Sequence, residues 1–153
     1  WKIPNVILSD ARIARLRERF GRAGREAAEV EVRVAGKAER MRQNSARGRI
    51  FEQQVVAALG IQKNTNRFVA TFEGRAIPDI YRGNDITEIK DVINLSLTKQ
   101  LRIQAANTNG SFNLIVSPRT QSISRPLQNA IYRTEGTISV FDPITGVLSK
   151  WQN

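Results

Sequence analysis

Phe51, Val55 and Leu59 recur every four residues, and Gly60 follows where a helix C-cap belongs. This spacing predicts a helix over residues 48–59. Upstream, Ser9-Asp10 can cap a helix, and Ile13, Leu16 and Phe20 follow at roughly helical intervals with arginines between them. Val30, Val34 and Met41 continue an apolar trace, while Gly21, Gly24 and Gly36 weaken helix continuity. One or two arginine-rich helices are expected over residues 10–45. The stretch Asn44-Ser45-Ala46-Arg47-Gly48 reads as a boundary, giving a basic helical extension (1–46) and a compact domain (47–153).

Beyond Gly60 the period shortens. Phe68–Glu73 reads as a strand turned by Gly74, Ala76–Tyr81 as a second, and Ile86–Val92 as a third after the turn Arg82-Gly83-Asn84-Asp85. Ser96 or Thr98 can cap a helix running to about Thr108, with Leu97, Leu101 and Ala105 as its apolar stripe. Asn109-Gly110 turns the chain into a buried strand, Phe112–Val116. Ser124-Arg125-Pro126 opens a third helix, since proline suits the first turn, and Gly136 ends it. Thr137–Phe141 and Val147–Trp151 form a closing hairpin across Asp142–Gly146. The compact domain is therefore a helix, three strands, a helix, a strand, a helix and a strand pair. That order predicts an α/β (α+β) fold with a central mixed sheet flanked by helices.

The 153 residues suffice for one domain with a proper core. Twenty-four Lys+Arg oppose 14 Asp+Glu, a net charge of +10, which favours a polyanionic partner. The rival explanation is a solvated basic surface that keeps the protein dispersed. The charge is uneven: residues 1–50 hold 13 basic and 6 acidic residues (+7), residues 51–153 hold 11 and 8 (+3). The amino-terminal third is thus the expected electrostatic arm. Cysteine is absent, which removes disulfides, thiolate zinc sites and cysteine nucleophiles. Histidine is absent too, which removes a Ser-His-Asp triad and histidine-pair ribonuclease chemistry. Acid–base work falls to Asp, Glu, Lys, Tyr or a metal's water. No apolar run approaches the ~18 residues of a membrane span. The first residue is Trp1 rather than Met, as in a domain cut from a longer protein, although processing gives the same start.

The chemistry concentrates in Ile77-Pro78-Asp79-Ile80 and, nine residues after the aspartate, Glu88-Ile89-Lys90. Ile86, Glu88 and Lys90 fall on one face of their strand. Asp79 and Glu88 on neighbouring strands can each offer an oxygen to one hard cation such as Mg2+, with Mn2+ as a substitute. Such an ion neutralises phosphate charge and acidifies a water. Lys90 beside it can orient the attacking water and neutralise the phosphate. The alternative is a surface Asp and a cross-strand Glu–Lys pair.

Pro-Asp followed by Glu-x-Lys, on the second and third strands of this order, resembles the restriction-endonuclease-like fold with its PD-(D/E)-x-K site. The segment Glu88–Arg102, the Phe51-Glu52 helix and Asn64-Thr65 look most like the nuclease domains at the carboxyl ends of bacterial polymorphic toxins, carried by contact-dependent and type VI effectors. The resemblance implies further roles. Glu52 would reach the metal; otherwise it complements the helix dipole. Gln100 would sit near the scissile phosphate. Independently of the resemblance, Lys99 and Arg102 read as generic phosphate contacts, and Arg119 as either a phosphate contact at the edge of the cleft or an ordinary loop arginine. The resemblance implies a Mg2+-dependent endonuclease acting on DNA after delivery, as part of a larger effector, to the target cell's cytoplasm. It also implies an acidic cognate immunity protein, and neither a membrane partner nor a small-molecule cofactor. Three rivals remain. One is an RNA or tRNA cutter on the same fold. Another is a non-enzymatic basic nucleic-acid-binding module. The third is a housekeeping nuclease such as a resolvase.

Overall fold

The computed structural model describes the backbone of residues 10–153 and the side chains of residues 33–153. Contacts divide the chain at Arg47–Gly48 into two units.

The first long element, α1 (Asp10–Leu59), runs without interruption through Asn44–Gly48. The expected boundary residues are therefore helical. Ala46, Arg47 and Arg49 are good helix formers, and the single Gly48 costs only about 1 kcal/mol relative to alanine. The arginine-rich stretch forms one helix, not two. Of its apolar trace, Val34 and Met41 are exposed, and Val30 lies outside the described side chains.

In the second unit, β1 (Val69–Thr71) and β2 (Gly74–Ala76) form a short hairpin. The central sheet contains β3 (Ile80–Arg82), β4 (Asp85–Lys90), β6 (Phe112–Val116), β8 (Ile138–Asp142) and β9 (Val147–Lys150), side by side in that order. The outer pairs β3–β4 and β8–β9 are antiparallel, and the inner pairs β4–β6 and β6–β8 are parallel. A second small ladder pairs β5 (Asn94–Leu95) with β7 (Ser122–Ile123). Helix α2 (Lys99–Ala106) crosses between β4 and β6, and α3 (Arg125–Arg133) between β6 and β8. Of the two proposed caps, Thr98 is the one used: its hydroxyl accepts from the Leu101 amide. Ser124 caps α3, and Pro126 stands in its first turn.

Strand alternation splits the core. Ile86, Phe112, Leu114 and Val116 join Leu101, Leu127 and Ile131 on the face covered by α2 and α3. Ile80, Ile89, Ile115 and Phe141 join Phe51 and Val55 of α1 on the other. Phe51 and Phe141 meet at 6.1 Å in a tilted pair. Each of these buried side chains contributes roughly 1.5–3 kcal/mol of apolar transfer energy. Gly136 is required by close approach: a Cβ there would lie 1.7 Å from the Phe112 carbonyl oxygen.

The anticipated strand Ala76–Tyr81 is broken in two. Pro78 has no N–H to donate to a ladder, so the backbone bends between β2 and β3. The hairpin turn falls at Phe72-Glu73, one residue earlier than the glycine suggested. The bend after Ala76 is what places Asp79.

Candidate active site

The bend carries Asp79 opposite Glu88 of β4, one position beyond the Ile80–Thr87 pair of the ladder. The two residues clamp each other. The Asp79 amide donates to Glu88 Oε1 (3.1 Å), and the Ile89 amide donates to Asp79 Oδ2 (2.8 Å). Side-chain oxygens thus replace ladder bonds that the Pro78 bend interrupts. Asn64 fastens the bend from outside: its backbone N–H donates to the Asp79 carbonyl (2.8 Å) and its Nδ2 to the Pro78 carbonyl (2.9 Å). Lys90 Nζ lies 3.4 Å from Glu88 Oε2. Asp79, Glu88 and Lys90, singled out in the sequence, therefore stand together at the carboxyl end of β4.

Burial sets the electrostatics. Glu88 is 1% exposed, and its carboxyl is pushed above the usual range by desolvation, against which the Lys90 charge pulls it down. The Asp79 carboxyl is raised to about 7, first by burial and then by the Glu88 charge. Burial of the two neighbouring carboxyls therefore favours a proton or an added cation on the pair.

Glu52 is drawn elsewhere. Its Oε1 lies 2.5 Å from Lys63 Nζ, and this pairing raises the Lys63 pKa, with Asp79 and Glu88 adding to the effect. Among the described residues no three acidic side chains converge closely enough to hold a metal. The expected set of Glu52, Asp79 and Glu88 is thus not closed; the ammonium of Lys63 is the cation that Glu52 meets. Asp79 and Glu88 do suit a hard divalent ion. Each has one oxygen tied by an amide; the second oxygen of Glu88 faces the Lys90 ammonium, and Mg2+ commonly takes one or two carboxylates and keeps its waters.

On α2 the anticipated Gln100 is exposed, and Gln104, one turn later, is wholly buried. The Gln104 amide lies against the Glu88 carboxyl and helps to lower its pKa, yet neither amide atom completes a well-formed hydrogen bond. A signal existed in the sequence: a glutamine three residues after Leu101, where helical spacing asks for an apolar side chain. Lys63, in a loop, gave none.

The expected phosphate contacts divide. Lys99 is exposed at the start of α2. Arg102 is paired with Glu73, Nη2 to Oε1 at 2.9 Å, and this bond lowers the Glu73 pKa. Arg119 donates Nε to Asp91 Oδ1 (2.6 Å) and Nη2 to the Asp91 carbonyl (2.8 Å), so it clamps the loop after β6 to the end of β4 rather than facing the cleft. Asp91, just past β4, also accepts from Ser117 Oγ and holds the loop after β6 in place.

A five-stranded mixed sheet with crossing helices, Pro-Asp on a bend and Glu-x-Lys on the adjoining central strand define the restriction-endonuclease-like class of α+β fold. The family model described as restriction endonuclease fold toxin 7 matches residues 48–127, just over half of the chain. The chain belongs to that family, and so to toxins of the nuclease class. No curated protein and no solved structure gives a match.

Proposed function

We propose that this toxin is a divalent-metal-dependent endonuclease that hydrolyses DNA backbone phosphodiesters. The observation that carries the proposal is the buried Asp79–Glu88 clamp with the Lys90 ammonium beside it at the carboxyl end of β4. Asp79 and Glu88 would hold the ion, which supplies Lewis acidity to the phosphodiester and its attacking water. Lys90, one-third exposed beside Glu88, orients that water and neutralises the phosphate. Gln104 keeps the Glu88 carboxyl aimed. The arginines of residues 1–46 serve as a nonspecific backbone-binding arm. The net charge of +10 supports an acidic immunity protein as the cognate partner, its association steered by charge. The toxin would act in the target cell's cytoplasm after delivery as part of a larger effector.

The test is incubation of supercoiled plasmid with purified protein in Mg2+ or in EDTA, beside Lys90→Ala. Nicking that needs both Mg2+ and Lys90 is expected. Intact plasmid with cut tRNA would move the substrate to RNA. DNA retarded but uncut in every condition would leave a binding module.

A further inference from the structure

Glu52 and Lys63 stand beside the clamp but outside it. The segment after α1 that carries Lys63 is fixed to the site's own backbone by the two Asn64 bonds to Pro78 and Asp79 and, internally, by Asn64 Nδ2 to the Arg67 carbonyl at 2.8 Å. Lys63 is one residue from that anchor, so its ammonium starts from a fixed point. Its side chain is half exposed, whereas that of Glu52 is 17% exposed. The same lysine lines an open, polar cleft of about 730 Å³ with Asn64, Thr65, Asn66, Tyr81 and Arg82, and no carboxylate lines it. On the cleft's flank the Arg67 guanidinium lies 3.7 Å from the centre of the Tyr81 ring.

We infer that Lys63 is a tethered cation with two positions. In the metal-free chain it neutralises Glu52 and competes with a divalent ion for that carboxylate. With the ion in place it turns into the adjoining cleft and holds a backbone phosphate of the substrate strand, next to the one being cut. The inference rests on the metal-dependent reading above. The physical basis is charge balance. The Glu52 charge adds to those of Asp79 and Glu88, which have the Lys90 ammonium beside them, so one further cation is retained there in either state. A lysine is suited to the exchange because its compact charge rides on a flexible four-carbon stem. The cleft offers the amides, hydroxyl and guanidinium that a phosphodiester accepts from, with no acidic group to repel it. An ordinary surface ion pair, by contrast, would be worth little and would leave metal binding untouched.

The test uses the full chain and two titrations. Calorimetry with Mn2+ alone compares the wild type, Lys63→Met and Glu52→Gln. Lys63→Met should bind Mn2+ about tenfold more tightly, the scale of removing one nearby positive charge at a partly exposed site. Glu52→Gln should not gain, because the contested carboxylate is gone. Anisotropy with labelled DNA and RNA 12-mers, in Mg2+ and on a Lys90→Ala background, then reads the cleft. Lys63→Met should weaken binding several-fold and Lys63→Arg should retain it. Mn2+ affinity equal to or below wild type in Lys63→Met overturns the competition while leaving a metal site standing. Mn2+ binding by none of the three, wild type included, overturns the metal reading and this inference together. Tightened Mn2+ binding with unchanged oligonucleotide affinity overturns the cleft position. Lys63 is exposed and unbranched, so Lys63→Met keeps the fold.

Discussion

Asp79 serves two ends at once. Its Oδ2 closes the clamp with Ile89, and its carboxyl, raised to about 7, is half protonated at neutrality. A free aspartate titrates near ~3.9, so the folded chain keeps a proton that the unfolded chain loses over roughly pH 4 to 7. More protons on the folded state mean that stability falls as pH rises through that window. Melting in EDTA should therefore show Tm dropping between about pH 5 and about pH 8, with Mg2+ restoring it at the alkaline end. Asp79→Asn keeps an acceptor for Ile89 and removes the charge. It should be inactive, flatter in its pH dependence and more stable than wild type by roughly 2 kcal/mol at high pH. An unchanged slope would sink the raised pKa. Gln104 obeys a related logic. Its buried amide atoms lack well-formed bonds, so Gln104→Leu relieves a polar burial cost and should raise Tm, yet it removes the group set against Glu88 and should weaken Mn2+ binding by about tenfold. A variant that gains stability with unaltered metal affinity would make the glutamine a packing residue alone.

Helices were read well from the sequence because their signals are local. Thr98 and Ser124 both accept from the amide three residues on, and Phe51 and Val55 are buried as their four-residue spacing required. Thr98→Ala should cost about 1 kcal/mol in urea denaturation with an unchanged m-value. The strands were read less well around Pro78. Pro78 was itself the warning of a break, but the bend it makes is set by Glu88 and Asn64, nine residues after and fifteen residues before Asp79. The uninterrupted α1 was missed for the opposite reason. Asn44, Ser45 and Gly48 are turn-forming residues on average, but the arginines and alanines around them carry the helix through. For the site, strand parity placed Glu88 and Lys90 on one face, which the structure bears out. Gln104 was legible only as a polar residue at an apolar position of α2; that it, rather than Gln100, meets Glu88 depends on how α2 rotates against β4.

Taken whole, the chain's net charge overstates what the second unit offers to a polyanion. Arg102 is tied to Glu73 and Arg119 to Asp91. Substituting Arg102 should leave the slope of log affinity against log salt nearly unchanged, whereas replacing two arginines of residues 12–49 with glutamine should make it shallower by about 2. Equal effects from both would move the backbone contacts into the second unit. Arg119→Ala should act on folding instead. It strands the nearly buried Asp91 carboxylate, at a cost of roughly 3 kcal/mol. The reciprocal clamp at the bend also bears on how such a toxin is inherited. Aspartate and asparagine codons differ by one transition, and the clamp accepts either side chain. Under the metal role proposed for Asp79, a lineage would disarm this domain by a single base change while keeping the acceptor for Ile89, and would rearm it by the reverse change. Glycine or alanine at the same codon takes away the acceptor for Ile89 and with it the hold on the bend.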